Sequence, residues 1–382
     1  RGLGDVYKRQ ASKPFFEKHP TWAFYNSCQE PFVFIDVFYI MNIAEGSPWR
    51  KHLFEEYQSA ISMMGFSGIH MDTYGFPKTA YSHLDAIPKK IKLENELPTL
   101  IDETRKNVHG EEEPYLIFNN VGAWPVQRTA DRKQDAVYIE VWPPYDRYAS
   151  IAQLIRDART YAKDDKSTIL AAYLKPFREG KREKALPAAK LLMGSIVSNG
   201  ATHLLTGENQ TALTQGYYSD YTKFSDSEAE AIRRYYDYMI RYENLFFDPE
   251  LQDVTMTHTG WDNYEYQCTS HKVSSYGEAG KIWMILREKD YRKCIYLLNL
   301  CGQSEDYWNE GKEEPNIQKD IKFTVQVDTP VEKICFSTPD GENMDAIELS
   351  FTERATKTGK FIDFTVPSLN YWTTIWIDTK EE

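Results

Sequence analysis

An α/β region of parallel strands joined by helical crossovers, followed by an all-β domain, is the fold class that this 382-residue sequence predicts. Three observations carry it. From about residue 31 to 245, apolar runs of strand length alternate with amphipathic stretches of helical period, the pattern of repeated βαβ units. After about residue 248 the texture changes to short strand-like runs separated by Gly, Asp, Pro and Asn clusters, which reads as a β-sandwich. The length itself exceeds one small core and suits two domains, or one large barrel with an appendage. The first ten residues, "RGLGDVYKRQ", are polar and lack either period, so residues 1–10 are expected to be a non-native leader. Residues 11–248 are then assigned to the α/β part and residues 249–382 to the β part.

Taken in order, six parallel strands are expected: "FVFIDVFYI" (32–40), "SGIHMDT" (67–73), "YLIFNNV" (115–121), "AVYIEVW" (136–142), "TILAAYL" (168–174) and "ATHLLTG" (201–207). Each is rich in β-branched or aromatic residues and bounded by turn formers or charge. Two crossover helices are plain. "KHLFEEYQSAISMM" puts Leu53, Tyr57, Ile61 and Met64 on one face, and "SIAQLIRDARTYA" does the same with Ile151, Leu154, Ile155, Ala158 and Ala162. The connection from Tyr74 to Glu113 is long and carries "FPKTAYSHLDAIPKK", so a loop over the site is expected there, ahead of its helix. A helix in "SEAEAIRRYYDYMIRYENLFF" closes the α/β part. Its Tyr235, Tyr238, Met239 and Tyr242 recur at helical spacing and are expected to pack in a core or between domains rather than stack on a ligand. Beyond it, "KIWMILRE", "CIYLLNL", "IKFTVQV", "EKICFST", "FIDFTV" and "TTIWID" are strands of the β part.

Composition removes several classes of partner. The 57 acidic residues against 45 basic ones leave a net charge of −12, which repels phosphate backbones and anionic lipid, so neither nucleic acid nor a membrane surface is an expected partner. No run of eighteen apolar residues occurs, so no membrane insertion is expected. The five cysteines are odd in number and lack CxxC or Cys/His ligand spacing, so no metal site is expected; buried thiols and a single disulfide are both compatible with them.

The chemistry is sought at the C-terminal ends of the strands, which face the pocket in barrels of parallel strands. In "SGIHMDT" the period of two sets His70 and Asp72 on one face and Ile69, Met71 and Thr73 on the other, where the helices pack. In "AVYIEVWPP" the same count groups Tyr138, Glu140 and Trp142, with Val137, Ile139 and Val141 opposite. Two inward carboxylates, 68 positions apart in the chain, thus end two strands separated by one other. Cleavage of a glycosidic bond needs such a pair: one carboxylate attacks or stabilises the oxocarbenium-like centre and the other protonates the leaving oxygen. Asp72, the shorter and stronger acid, suits the ionised role. Glu140, set between Tyr138 and Trp142, suits the proton donor. The structural alternative is an ion pair of either carboxylate with Lys175, Arg147 or His203.

These residues reach a family. "GFSGIHMDTYG", "YLIFNNVGAW", "VYIEVWPP" and "YYDYMIRYENLFFD" resemble glycoside hydrolase family 66, the dextranases and cycloisomaltooligosaccharide glucanotransferases, over nearly all of residues 32–250 and more weakly through "PSLNYWTTIWI". The resemblance implies a (β/α)8-type TIM barrel, an Asp nucleophile in a G-x-H-x-D-x-x-G element and a Glu acid/base in an E-x-W element. Carried over, these are Asp72 and Glu140, the pair that strand phase selects. It also implies a retaining, endo-acting hydrolase of α-1,6-glucan (dextran) without a cofactor, taking α-glucan polysaccharide or isomaltooligosaccharide as a monomer. A polymer too large to import further implies a secreted or periplasmic location.

Two departures from the family pattern are expected. The family barrel has eight strands with a sandwich domain ahead of it, whereas about 20 plausible native residues precede the first expected strand here, so the first two strands are expected to be missing. The glucanotransferases typically carry an insertion between the seventh and eighth strands, whereas Tyr173 and Thr202 are separated by one helix-length connection, which favours hydrolysis over cyclisation. The other readings are a glucanotransferase, a different retaining α-glycosidase, and a non-catalytic glucan-binding protein.

Further candidates for sugar contact are Asn119 at a strand end, Trp142 and Tyr145 as a platform for a glucose ring, Tyr138 beside Glu140, and Glu208 after the last strand. His70 is expected to meet a sugar hydroxyl or to orient Asp72.

Overall fold

The computed structural model describes residues 13–34, 36, 38–163, 166–216, 221–259 and 264–380; the expected leader lies outside them. The chain divides into two compact units, one comprising Arg1–Glu140 with Ala158–Lys166 and the other Val141–Asp157 with Ser167–Glu382.

In the first unit β1 (Phe24–Tyr25) is followed by β2 (Val33–Phe34) and β3 (Phe38–Tyr39), which pair with each other antiparallel. The run 32–40 is therefore not the first parallel strand that its apolar character predicts. Asp36 turns the chain with φ 59°, a left-handed conformation that Asp tolerates better than most residues. Because the run is apolar on both faces, no alternation betrays the reversal. Helix α1 (Pro48–Met64) starts at Ser47, whose hydroxyl accepts the Arg50 N–H at 3.1 Å, with Pro48 at the first helical position; it stops at Gly65, φ 70°.

Strand β4 (Gly68–Met71) follows, and then β5 (Thr79–Ser82) and β6 (Lys89–Lys92), an antiparallel pair completed by β1. The connection expected to be a loop thus contains a hairpin. Its period of two is present, Ala80, Ser82 and Ile91 being buried, but the lysines around Ile91 mask it. Helix α2 (Leu93–Asn107) leads to β7 (Tyr115–Val121) and β8 (Ala136–Glu140).

Strands β4, β7 and β8 are parallel, with β7 in the middle. At Gly68 a side chain is impossible, since a Cβ would stand 2.3 Å from the Tyr115 carbonyl oxygen. Ile69, Met71, Leu116 and Phe118 pack with Leu97, Leu100 and Ile101 of α2 in one core. This fixes the phase of β4: its apolar face meets the helices, and His70 and Asp72 take the other side.

Helix α3 (Tyr148–Ala162) follows β8 and buries Ile151, Leu154, Ile155, Ala158 and Ala162, the face that its period predicts. In the second unit β9 (Ser167–Ala171) and β10 (Ala201–His203) are parallel and are joined through α4 (Ala185–Ser198), a helix buried on almost every side. Helix α5 (Asp226–Arg241) opens on a capping box between Ser225 and Glu228. Tyr235, Tyr238, Met239 and Tyr242 are all buried. The hydroxyls of Tyr235, Tyr238 and Tyr242 donate to Asp340, to the Ser337 carbonyl and to the Met344 carbonyl, so this aromatic face is packing, as its spacing indicates.

From residue 252 onward two mainly antiparallel sheets form. One is built on Ile282–Lys289, Arg292–Asn299, Trp372–Thr379 and Val331–Ser337, the other on Tyr266–Cys268, Gln318–Val327, Gly359–Leu369 and Phe351–Thr356. Met284, Leu286, Ile295 and Leu297 of the first share a core with Phe323, Val325, Ile362 and Phe364 of the second. Each such side chain stabilises the fold by about 1.5–3 kcal/mol through burial alone. All five cysteines are free thiols. Among the described residues no helix is long and apolar enough to cross a membrane.

Candidate active site

The three parallel strands of the first unit converge on two carboxylates. Register pairs Met71 with Phe118, Asn119 with Tyr138 and Val121 with Glu140, so Asp72 just beyond β4 and Glu140 at the end of β8 flank Asn119 of the middle strand. The Asn119 amide nitrogen donates to Asp72 Oδ1 at 2.8 Å and to Glu140 Oε2 at 3.3 Å. The two acceptor oxygens are therefore no farther apart than the sum of those distances, about 6.1 Å. A reversed amide would set an acceptor against two acceptors, so chemistry fixes its orientation.

The two carboxylates differ in their surroundings. Glu140 is only 4% exposed, whereas Asp72 is open to solvent. Asp72 Oδ1 also accepts the Thr73 backbone N–H at 2.9 Å, while among the described residues its Oδ2 takes no hydrogen bond. The Thr73 hydroxyl donates to the Asn119 carbonyl at 3.2 Å, tying the end of β4 to β7. The adjacent Asn120 points the other way: its amide donates to the Tyr138 carbonyl at 2.9 Å and its oxygen accepts from Thr129 at 2.6 Å, which locks β7 to β8. The turn after β7 has positive φ at Gly122 and Ala123, and the Gly122 N–H donates to the Glu140 carbonyl at 2.8 Å.

His70 lies on the same strand as Asp72, with its ring 4.6 Å from that of Tyr138 and tilted by 59°. Burial pushes the imidazole pKa below its ordinary value, opposed by attraction to Asp72, and among the described residues the buried Nε2 has no hydrogen-bond partner. Tyr57 of α1 was expected only as part of a packing face. Burial raises its phenol pKa and the charge of Asp72 raises it further, which marks Tyr57 as a neighbour of that carboxylate. Its helical spacing could show which face it shared, but not that this face ends at Asp72. Beside Asp72 lies an apolar cavity of about 130 Å³, with Tyr57, Tyr74, Trp49, Leu97 and Trp124 in its walls.

Five of the eight residues singled out in the sequence, Asp72, Glu140, Asn119, His70 and Tyr138, thus belong to the first unit. Asn119, expected at a sugar hydroxyl, directs its amide nitrogen to the two carboxylates instead, and among the described residues its buried Oδ1 has no hydrogen-bond partner. Trp142, Tyr145 and Glu208 belong to the second unit. There the Trp142 ring lies 6.1 Å from that of Tyr173, the Tyr145 carbonyl accepts the Trp308 indole N–H at 2.7 Å, and Glu208 is exposed at the start of a 3-10 turn.

The cations offered as structural partners are engaged elsewhere. Lys175 pairs with Glu310 at 2.6 Å and Arg147 with Asp306 and Tyr307, while His203 Nε2 donates to the Ala172 carbonyl at 2.9 Å. Burial pushes the His203 pKa down to about 4. Among the described residues no cluster of three or more His, Cys, Asp or Glu is placed to hold a metal ion.

Parallel strands that present two carboxylates this close on one face define an α/β protein with a paired-acid site. The model of glycosyl hydrolase family 66 matches residues 15–376, and the chain belongs to that family. A cycloisomaltooligosaccharide glucanotransferase of Niallia circulans is 28% identical over 193 residues, which cover 50% of this chain and 19% of that enzyme, so the match spans about a fifth of the curated relative. Among solved structures, a cycloisomaltooligosaccharide glucanotransferase of Paenibacillus sp., complexed with cycloisomaltoheptaose, superposes with a TM-score of 0.83 at 16% identity, covering 94% of this chain and 71% of that one. The maltogenic α-amylase AmyB of Thermotoga neapolitana shares the fold more distantly, with a TM-score of 0.53, 10% identity, and coverage of 96% and 74%.

Proposed function

We propose that the chain carries the catalytic pair of a retaining, endo-acting hydrolase of α-1,6-glucan, with Asp72 as nucleophile and Glu140 as acid/base. The observation that carries this reading is the Asn119 bridge. The two oxygens that Asn119 bridges are at most about 6.1 Å apart, which accommodates the roughly 5–5.5 Å between the carboxyl groups of a retaining enzyme. Asp72 Oδ2, the oxygen not held by N–H donors, attacks the anomeric carbon. The glycosidic C–O bond breaks as the Glu140 proton passes to the leaving oxygen. Glu140 then takes a proton from water, which displaces Asp72 and restores both groups.

His70 and Tyr138 flank the bound sugar in this reading, and Trp142, Tyr145 and Glu208 supply further glucan contacts. The strands belong to a (β/α)8-type barrel followed by a β-sandwich, and the enzyme works as a monomer outside the cytoplasm, secreted or periplasmic, because its substrate is a polymer. Family membership and the isomaltooligosaccharide chemistry in the names of its relatives support the substrate class.

A second reading, transfer of the glucosyl group to a sugar hydroxyl to make cyclic isomaltooligosaccharides, is favoured by the glucanotransferases among those relatives and uses the same covalent intermediate. The single-helix connection from β9 to β10 favours water as the acceptor.

Dextran digestion followed by mass spectrometry separates linear from cyclic products. Asp72→Asn and Glu140→Gln should each lower turnover at least about 10³-fold. Azide should rescue Glu140→Ala to give an α-glucosyl azide and Asp72→Gly to give the β anomer; the opposite pairing would reverse the two roles.

A further inference from the structure

We infer that Asn119 is a positioning residue that holds the two carboxylates in register for the reaction, and does so through its amide nitrogen rather than by gripping a sugar. The inference rests on the carboxylate roles proposed above. Asn119 comes from the strand between the two that carry the acids, is buried, and aims one nitrogen at both of them, at 2.8 and 3.3 Å. On Asp72 the contact falls on Oδ1, so among the described residues Oδ2 takes no hydrogen bond and is the oxygen placed for attack. The Thr73 N–H shares Oδ1 with Asn119, so the Asp72 carboxylate is held from two directions at the oxygen that does not react.

The bridge also answers an electrostatic problem. Two carboxylates that share one donor are close enough to repel each other when ionised, and N–H donation to an ionised carboxylate offsets that repulsion. Asn119 itself is held by its backbone, through the Thr73 hydroxyl on its carbonyl and the flanking pairings of β7. The other titratable groups facing the pair are His70 on β4, Tyr138 on β8 and Tyr57 on α1.

The test uses Asn119→Ala and the isosteric Asn119→Asp. Carboxyl ¹³C NMR of labelled Asp and Glu, assigned with Asp72→Asn and Glu140→Gln, follows the two titrations without any need for activity. Without the N–H donors the higher of the pair's two apparent pKa values should rise by about one unit in Asn119→Ala, and by more in Asn119→Asp, where a third negative charge is added. In parallel, the alkaline limb of kcat/KM, set by the group that must stay protonated, should move to higher pH and kcat should fall roughly 10–100-fold while KM changes less than about threefold. Unmoved carboxyl titrations in both folded variants, or a rise in KM at unchanged kcat, would overturn the inference and return Asn119 to sugar binding. Shifted titrations in a wild-type protein inactive on every α-glucan would leave the positioning role standing and remove the proposed function instead.

Discussion

In the two-sheet core of the second unit, Asn299 is fully buried and none of its polar atoms is idle: the amide nitrogen reaches the carbonyls of Asn316, Leu369 and Asn370, and the oxygen accepts the Cys301 N–H at 3.1 Å. At the strand ends of the first unit, Asn119 is almost as buried, yet its nitrogen is committed to two acids and, among the described residues, its oxygen has no partner. The same contrast runs through the charges. Arg287 is buried in the second unit against the carbonyls of Phe246 and Leu251, and Lys312 against Glu305 and two carbonyls, whereas Asp72 is exposed and among the described residues its Oδ2 takes no hydrogen bond. Asn299, Arg287 and Lys312 are buried with their donors engaged, and each such bond left unmade would cost about 1–3 kcal/mol. A polar group with valence to spare, placed beside two carboxylates, is what a site that must accept a ligand requires.

That contrast can be broken by experiment. The largest effect is expected at the acids: Asp72→Asn and Glu140→Gln should remove turnover, yet leave the thermal midpoint within a few degrees or raise it, because like charges are relieved. A large loss of stability in both would place them with Asn299 as structural groups. Asn299→Ala should do the reverse, costing about 2–4 kcal/mol in denaturant unfolding while the activity per folded molecule is unchanged.

His203 sharpens the comparison through pH. Its folded pKa, about 4, lies below the unfolded value of about 6.5, so the unfolded chain binds its proton first as pH falls. The stability present above pH 6.5 is therefore lost progressively down to pH 4, by up to about 3 kcal/mol. His203→Gln, which keeps a donor for the Ala172 carbonyl, should flatten that part of the stability–pH curve, and an unchanged curve would assign the acid sensitivity to other groups. The smallest effect is expected at the α5 cap, where Ser225→Ala should cost about 1 kcal/mol. Hydrogen exchange in the first turn of α5 would register it.

Much of the site was legible because a strand has a period of two. Once Ile69 and Met71 are assigned to the helices, His70 and Asp72 have one side left, and the same arithmetic aligns Tyr138 with Glu140. Helices were legible for the corresponding reason: the apolar stripes of α1, α3 and α5 recur at helical spacing. Where both faces of a segment are apolar, as in residues 32–40, periodicity carries no information on direction, and the antiparallel turn at Asp36 stayed hidden. The hairpin of β5 and β6 was obscured by lysines whose stems flank a single buried Ile91. Nor did the odd count of cysteines decide between thiol and disulfide, since that depends on which pairs the fold brings together.

What the sequence determined by itself, then, is the set of faces: which residues along each strand and helix share a side, because backbone geometry alone dictates that repeat. Only the tertiary structure decided which faces meet. The order β4, β7, β8 inserts an asparagine between two acids that lie 68 positions apart, and no local rule of the chain specifies that neighbour. Hydrogen bonds reaching 21 and 47 residues along the chain close only when the strands have paired, and they convert two carboxylates on one face into a pair.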